Sequence, residues 1–186
     1  MSDPAVHSNT ATEFRAQLLA VVPSLRAFGI SLTAKSDRAD DLVQETLMKA
    51  WKYQSSYVVG TNLKAWLFTI LRNEFYTHLR KRKREVEDAD GIHASKMATP
   101  PEQYGHLDMA DFRRALAQLP ADQREAVILV GASGFSYEEA SEICKIPLGT
   151  VKSRVNRARK RLAEILQVDA NGEFQGDLEF KAAVNG

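Results

Sequence analysis

The chain has 186 residues, of which 44% are hydrophobic and 26% are charged, and its net charge is +1 at neutral pH. These values are typical of an ordinary soluble globular protein with one domain or two small ones. The single cysteine, Cys144, excludes an internal disulfide and a cysteine-based metal site, and we expect it to be a small buried packing residue. No stretch suggests a membrane span, and the N-terminus lacks the basic start and apolar core of a signal peptide. We therefore expect a cytoplasmic protein that does not bind a membrane.

Charge is segregated along the chain. The ranges 72–84 and 145–161 are basic, whereas 85–90 and 169–180 are acidic. Such segregation indicates separate surfaces for different partners.

Helical periodicity divides the chain into two helical modules. We expect an all-α fold with one small domain over 12–84, a flexible linker over 85–107, a second small domain over 108–168 and a loose polar tail over 169–186. The linker begins with acidic residues, contains Thr99-Pro100-Pro101, and is expected to include a short helix near Ile92 to Met97.

The first module is predicted to begin with two helices. The first helix runs to about Leu32, and Pro23 predicts a kink or a break in it. Ser36 or Asp37 is expected to cap the second helix, which ends near Tyr53. This second helix should bury an apolar stripe. The stripe consists of Ala39, Leu42, Val43, Thr46, Leu47 and Ala50.

The opposite face of the second helix is polar, but it includes a methionine and a tryptophan. Its residues are Asp41, Gln44, Glu45, Met48 and Lys52, with Trp51 at the edge. Exposed apolar side chains beside a polar face are typical of a protein-binding surface. Alternatively, Met48 and Trp51 could cap the core from its rim, and the spacing alone leaves both interpretations open.

A loop over Gln54–Thr61 precedes a third helix, which is expected from about Asn62 to about Lys83. The apolar residues of this helix are spread too widely for one buried stripe, so some must face a partner or the solvent. They are Trp66, Leu67, Phe68, Ile70, Leu71, Phe75, Tyr76 and Leu79. Aromatic residues interleaved with basic ones suit single-stranded nucleic acid, because rings stack on bases and cations hold phosphates. The alternative is a core helix with a solvated basic tail.

The second module is predicted to open with a short helix that Pro120 ends, followed by a helix that Asp122 caps. The latter helix should bury Ala126, Val127, Leu129 and Val130.

A helix-turn-helix is predicted over Phe135–Leu166. A short helix from Ser136 to Ile143 is followed by a break at 145–149 and then by a second helix rich in Lys and Arg. Seven basic residues and no acidic one lie between Lys145 and Arg161, which indicates a surface that binds phosphates and reads bases. Many such motifs have Gly where Lys145 stands, often in the left-handed conformation, so we expect Lys to cost some stability there.

The periodicity of the basic helix separates a buried side from a side that faces a DNA groove. The apolar stripe consists of Val151, Val155, Ala158, Leu162 and Leu166. Opposite it lie Ser153, Asn156, Arg157 and Lys160, flanked by Lys152 and Arg159 on one side and by Arg154 and Arg161 on the other. Residues near the start of such a helix reach base edges, and later ones reach phosphates. The alternative is a solvated amphipathic helix that closes a bundle, but it leaves the turn and the charge asymmetry unexplained.

No enzymatic site is predicted. His7, His78, His93 and His106 lack the spacing of metal ligands. Acidic pairs such as Glu138-Glu139 lie on helix surfaces, and the chain has no glycine-rich phosphate loop. We therefore predict no catalytic residue, no metal, no cofactor and no small-molecule ligand.

Three segments, in order, resemble the extracytoplasmic-function (ECF) sigma factors, the small two-module initiation factors of bacterial RNA polymerase. The segment DRADDLVQETLMKAWKY (37–53) resembles their polymerase-binding region 2. The segment NLKAWLFTILRNEFYTHLRKRKR (62–84) resembles the region that melts and reads the −10 promoter element. The segment LPADQREAVILVGASGFSYEEASEICKIPLGTVKSRVNRARKRL (119–162) resembles region 4, which reads the −35 element.

The resemblance implies a role for each predicted surface. The −35 element would be contacted by Thr150, Lys152, Ser153, Arg154, Asn156, Arg157, Arg159, Lys160 and Arg161. The unpaired −10 strand would be contacted by Ser56, Tyr57, Thr61, Asn62, Lys64, Trp66, Arg72, Asn73, Tyr76 and Arg80. The clamp helices of the β′ subunit of core RNA polymerase would be contacted by Asp41, Gln44, Glu45, Met48 and Trp51.

A narrower resemblance concerns regulation. The runs FGISL, GTNLKAWLFTILRN, REVED and ILVGASGFSYEEA are similar to the EcfG-like general stress response subfamily of alphaproteobacteria. This similarity implies inhibition by a NepR-type anti-sigma factor. It also implies release when a phosphorylated PhyR-type regulator, which carries a sigma-like decoy domain, captures the inhibitor.

Two other functions remain as alternatives. The chain could be a sigma-like decoy that binds an anti-sigma factor without touching DNA, but a decoy has no need of the bases in 145–161. It could also be an ordinary helix-turn-helix repressor or activator, but the N-terminal module shows no ligand-pocket or receiver pattern.

Overall fold

A computed structural model of the protein describes residues 4–88 and 109–167, and in those two ranges it is helical without strands. The predicted all-α fold is confirmed. The helices are α1 (Pro4–Thr33), α2 (Ser36–Lys52), α3 (Leu63–Asp88), α4 (Met109–Gln118), α5 (Ala121–Val127), α6 (Tyr137–Cys144) and α7 (Leu148–Leu166). The short helix predicted near 92–97 lies outside the described residues.

Helices α1, α2 and α3 pack against one another and form the first module. The sequence predicted a kink or a break at Pro23. Helix α1 continues through this residue, so the break is wrong, and the kink stays a prediction. A proline in a helix interior removes one backbone hydrogen bond. However, Leu18, Leu25 and Phe28 are buried on both sides of it, and this packing holds the two parts of α1 in one helix.

The apolar stripe of α2 lies in the core as predicted, with Ala39, Leu42, Val43, Thr46 and Ala50 buried and Leu47 packed against them. The predicted cap is wrong. Helix α2 begins at Ser36, and its N-cap residue is Lys35, whose side chain makes no capping bond. Instead, the Thr33 hydroxyl donates to the Lys35 carbonyl at 2.8 Å and accepts from the Lys35 N–H at 3.3 Å.

Helix α3 begins where the sequence predicts. The Asn62 side-chain oxygen accepts a hydrogen bond from the Ala65 N–H at 3.1 Å and so caps the helix. The helix ends at Asp88, five residues beyond the predicted end at Lys83, so it includes the first residues of the predicted linker. Leu63, Leu67, Phe68, Leu71 and Phe75 are buried, whereas Trp66, Ile70 and Tyr76 are partly buried.

The second module contains α4 to α7. Pro120 ends the loop after α4 and is itself the N-cap residue of α5, so the prediction that Asp122 caps this helix is wrong. Helix α5 continues into a π-helical segment at Ile128–Ala132, which the sequence did not predict. Ala126, Val127 and Leu129 are buried as expected, whereas Val130 is only partly buried.

The two modules pack directly on each other. Their buried residues form one continuous apolar cluster. Phe68 of α3 links the two halves, because its ring stacks on Phe28 with a centroid distance of 4.9 Å and meets Phe135 edge-on at the same distance. Helix α3 thus packs on two sides, against α1 and α2 of the first module and against α6 of the second module. This arrangement explains why its apolar residues are spread over more than one face.

The segment Thr12–Thr33 of α1 is long and apolar enough to span a membrane, with a mean hydropathy of 1.3. This result departs from the prediction that no stretch qualifies. Its residues Leu18, Leu25, Phe28 and Leu32 are buried in the protein core, which is also the pattern of an amphipathic core helix.

Candidate nucleic-acid and protein interfaces

The helix-turn-helix is built as the sequence predicts. Ser136 and Glu139 form a capping box at the start of α6, in which each side chain accepts a hydrogen bond from the other residue's backbone N–H, at 3.1 and 2.8 Å. Lys145 ends α6 in the left-handed conformation, with φ of 54°. The Ser141 hydroxyl donates to the Ile146 carbonyl at 2.6 Å and stabilises the turn. These contacts fix the angle at which α7 leaves the turn.

Helix α7 presents its predicted faces to the core and to solvent. Val151, Val155, Ala158 and Leu162 are buried against α4, α5 and α6, and Leu166 is partly buried. On the other side Lys152, Asn156, Arg157, Lys160 and Arg161 are exposed, and Thr150, Ser153 and Arg159 are half-buried. The sequence of α7 has no acidic residue before Glu164. Its exposed face is therefore a cationic strip on a rigid helix, which suits a DNA groove.

Arg154 differs from its neighbours on α7. Its guanidinium lies 3.2 Å from the Asp122 carboxylate of α5, and the side chain is about one quarter exposed. Asp122, predicted to be a helix cap, instead holds this arginine. Arg154 is thus less available to DNA than the exposed bases beside it.

The loop between α2 and α3 is closed on itself. The Tyr57 hydroxyl donates to the Thr61 carbonyl at 2.7 Å, and the Thr61 hydroxyl donates to the Val58 carbonyl at 2.7 Å. The Tyr57 ring packs 5.4 Å from Trp66, while Ser56 is exposed. These contacts bring together the predicted −10 residues of the loop and the start of α3.

The tip of this loop carries an apolar pair that the site prediction missed. Val58 and Val59 are exposed, Val59 to 90%. Two β-branched residues at an exposed loop tip bury little in the folded chain, which is a signal for an external contact. The VV pair in the otherwise polar run QSSYVVGT was the available clue.

Further predicted −10 residues lie at the start of α3 and along it. An open groove of about 360 Å³ is lined by Arg72, Asn73, Tyr76, Leu79 and Arg80, and Arg80 is exposed. Hydrogen bonds with the second module are formed by Asn62, Lys64, Arg72 and Tyr76. Arg72 and Tyr76 therefore belong to both sets.

Glu125 of α5 is at the centre of this contact. Its carboxylate is about 1% exposed. One oxygen accepts from Arg72 Nε at 2.6 Å, and the other accepts from Arg72 Nη2 at 3.4 Å and from the Tyr76 hydroxyl at 3.1 Å. The Arg72 guanidinium also lies over the Tyr76 ring, 4.6 Å from its centroid. The prediction missed Glu125, because the run ADQREAV has the composition of a solvated helix.

Burial and charge perturb the groups around Glu125. Burial, with the negative charge of Glu125, raises the pKa of Tyr76 to about 12. Burial disfavours the charged form of Arg72, but the charge of Glu125 and the hydrogen bond to it outweigh this effect and raise the pKa of Arg72. Burial, again with Glu125, raises the pKa of the Cys144 thiol to about 12. Cys144 is buried, as predicted.

Two further bonds join α3 to the helix-turn-helix. The Lys64 ammonium donates to the Ser133 carbonyl at 2.7 Å and lies over the rings of Phe68 and Phe135, at 5.7 and 5.2 Å. Burial lowers the pKa of Lys64, and the nearby charge of Glu139 partly opposes this shift. The Asn62 amide donates to Glu139 Oε1 at 2.7 Å.

Most of the outer face of α2 is exposed, in agreement with the protein-binding interpretation. Met48 is 66% exposed and Trp51 46% exposed, and Asp41 and Gln44 are exposed. A groove of about 490 Å³ runs between this face and the α3 side chains His78, Leu79 and Arg82. An exposed apolar anchor beside a groove with charged walls is suited to docking a helical partner.

One cluster on this face has the donor set of a metal site. Ligand atoms of Glu45, Glu74 and His78 lie within 4.8 Å of one another, although the sequence showed no such spacing. Glu45 contacts His78 at 3.0 Å, and Lys49 contacts Glu74 at 2.6 Å. The Lys49 ammonium therefore already balances part of the charge that a cation would balance.

Comparisons with known proteins agree with this architecture. The family Sigma-70 region 2 matches residues 19–85, and the family Sigma-70, region 4 matches residues 109–162. The ECF RNA polymerase sigma factor EcfG of Rhodopseudomonas palustris (strain TIE-1) is 57% identical over 172 residues, which cover 92% of this chain and 95% of the relative. The ECF RNA polymerase sigma factor SigM of Bacillus subtilis (strain 168) is 33% identical, over 78% of this chain and 90% of the relative.

A solved structure is similar over most of its length. It is that of the sigma factor RpoE in complex with the anti-sigma factor NepR from Bartonella quintana, with a TM-score of 0.74 and 62% identity. The match covers 84% of this chain and 98% of RpoE.

A three-helix bundle followed by a helix-turn-helix, with matches to both conserved regions, defines a sigma factor of bacterial RNA polymerase. The chain belongs to the sigma-70 family and, within it, to the EcfG-like ECF sigma factors. The family predicted from the three motifs is confirmed.

Proposed function

We propose that this chain is the promoter-specificity subunit of RNA polymerase for a set of stress response promoters. Helix α7 would read the −35 element in the major groove. The loop after α2 and helix α3 as far as Arg80 would capture the unpaired −10 strand. The observation that carries the proposal is α7 itself, in which the apolar stripe packs into the core and leaves a strip of exposed cations on the opposite side.

The contact with core polymerase is assigned to the outer face of α2. Met48 and Trp51 would be its apolar anchors, and Asp41, Gln44 and Glu45 its polar rim, against the clamp helices of the β′ subunit. The groove beside Met48 supports this assignment, because a helix laid on α2 would fill it. The chain would act as a non-catalytic subunit in the cytoplasm, where polymerase and promoter DNA are found.

Control by a NepR-type anti-sigma factor is part of the proposal. The Bartonella quintana RpoE was solved in complex with NepR and is 62% identical to this chain. At that identity the surface that a NepR-type protein recognises is expected to be largely retained. Release by a PhyR-type regulator then follows from the same subfamily.

A run-off transcription assay with purified core polymerase tests the proposal. The chain should confer initiation at new promoters on core enzyme that alone has none. A sigma-like decoy would bind a NepR-type protein without conferring initiation. A repressor or activator would bind duplex DNA without core enzyme and would not replace a sigma factor.

A further inference from the structure

We propose that, in the free protein, Glu125 takes the place of a promoter phosphate. By binding Arg72 and Tyr76 it holds the second module over the −10 surface and keeps the protein closed. The inference rests on the proposed function, in which Asn62, Lys64, Arg72 and Tyr76 contact the unpaired −10 strand. We call the bonds between Glu125 and its two partners the latch.

The chemistry of the latch matches that of a phosphate site. The two oxygens of Glu125 take a guanidinium fork and a phenol hydroxyl. A DNA phosphate presents the same kind of paired anionic oxygens to the same donors, and arginine binds both anions in a bidentate manner. Arg72 and Tyr76 cannot bind Glu125 and a DNA strand with the same atoms at once.

Burial shows that the latch is closed tightly. Glu125 is about 1% exposed and Arg72 about 15% exposed. A carboxylate removed from water is costly unless it is paired and hydrogen-bonded. Glu125 is therefore stable in this position only while Arg72 and Tyr76 remain its partners, so its burial and the closure of the two modules depend on each other.

The rest of the contact follows the same rule. Lys64 donates to the Ser133 carbonyl, and Asn62 donates to the Glu139 carboxylate. In each case a proposed DNA-binding donor from the first module is satisfied by an oxygen of the second module. The latch is thus the most buried part of a larger surface in which protein oxygens take the places of DNA oxygens.

A part of the −10 surface stays open in the closed form. Ser56, Val59 and Arg80 are exposed. A strand can therefore reach the loop and the end of α3 first, and complete binding requires that the second module leave α3. The apparent affinity for single-stranded DNA is therefore the affinity of the open form multiplied by the fraction of molecules that are open.

The test compares single-stranded DNA binding by the full-length wild-type chain and by Glu125→Gln and Glu125→Ala, without polymerase. The probe is a fluorescein-labelled oligonucleotide with the non-template −10 strand of a promoter at which the wild-type chain and core enzyme initiate. Binding is followed by anisotropy, and the radius of gyration by small-angle X-ray scattering. Glu142→Gln, an exposed acid of α6, is the matched control for charge.

The Glu125 variants should have a larger radius of gyration than wild type and should bind the oligonucleotide at least tenfold more tightly, which is a tenfold rise in the open fraction. Glu142→Gln should match wild type in both measurements. Variants that stay compact, or that open without binding more tightly, would overturn the inference.

The wild-type chain supplies an independent test if a variant does not fold. A saturating concentration of the oligonucleotide should expand it, because the strand must displace Glu125 from Arg72 and Tyr76. Binding without expansion contradicts the latch even when the chain initiates normally with core enzyme. Failure to initiate at any promoter contradicts the proposed function instead, and the latch with it.

Discussion

At the scale of single residues, the direction in which a side chain points decides its role. Arg157 lies on the exposed side of α7, whereas Val155 and Ala158 beside it are buried. The helical period predicts this division from the sequence alone. No such periodicity identifies the partner of a buried polar group. Arg72 and Glu125 are far apart in the chain, and nothing in the run ADQREAV indicates that its glutamate is buried.

Replacing Arg157 with Ala should weaken binding to the −35 element by about 1–3 kcal/mol, because a bidentate contact with a base or a phosphate contact is lost. Thermal stability should change little, since the side chain is exposed. Binding to duplex −35 DNA at fixed salt is the measurement, with Glu164→Ala, an exposed acid near the end of α7, as the control. If Arg157→Ala bound the −35 element as well as wild type, α7 would not read the element through this face.

Tyr76 should make the folded protein sensitive to high pH. Burial and the charge of Glu125 raise its pKa from 10.0 to about 12. The unfolded chain releases this proton near pH 10 and the folded chain near pH 12, so the stabilisation from Tyr76 is complete below pH 10 and is lost as the pH rises towards 12. Denaturant unfolding between pH 9 and pH 11 should show the decline.

The Tyr76→Phe variant tests whether Tyr76 causes this loss of stability at high pH. It has no phenol to ionise, so its stability should fall less steeply over the same pH range. Equal slopes for wild type and Tyr76→Phe would mean that burial and Glu125 do not raise the pKa of Tyr76.

At the scale of helices, the boundaries that depend on apolar periodicity were predictable, and the capping contacts were not. The stripes of α2 and α7 are buried as expected, because many residues contribute to each. The starts of α2 and α5 use Lys35 and Pro120 without side-chain caps. In both cases a polar residue nearby was a plausible cap, but at the start of α2 the Thr33 hydroxyl bonds the Lys35 backbone instead. The π-helical segment after α5 carries no sequence signal of this kind.

The outer face of α2 gives a prediction at this scale. Met48→Glu should weaken binding to core polymerase tenfold or more, because a charge at a desolvated contact costs several kcal/mol. Helicity and melting temperature should be nearly unchanged, since Met and Glu have similar helix propensities and the position is exposed. A pull-down with core enzyme is the measurement.

Leu19→Glu is the matched control for Met48→Glu. Leu19 is another exposed large apolar residue, on α1 rather than on the proposed surface, and its replacement should leave core binding intact. Normal core binding by Met48→Glu, or equal losses in the two variants, would remove Met48 from the polymerase contact.

At the scale of the whole molecule, the sequence predicted two modules but not their placement. The contacts that join them are polar pairs such as Asn62 with Glu139 and a few aromatic contacts such as Phe68 with Phe135. Residues so far apart in sequence leave no periodic pattern. The excess of apolar residues on α3 predicted only that some of them face a partner or the solvent, and in the structure the second module covers part of this surface. The surfaces proposed for DNA and for the closed contact therefore overlap on α3.

Promoter-dependent run-off transcription tests the central claim most directly. Core polymerase with the wild-type chain should produce transcripts of defined length from stress response promoters. Core enzyme alone, or core enzyme with a chain that carries both Arg157→Ala and Met48→Glu, should produce few or none. A chain that binds core polymerase or a NepR-type protein but never supports initiation at a promoter would contradict the assignment as a sigma factor.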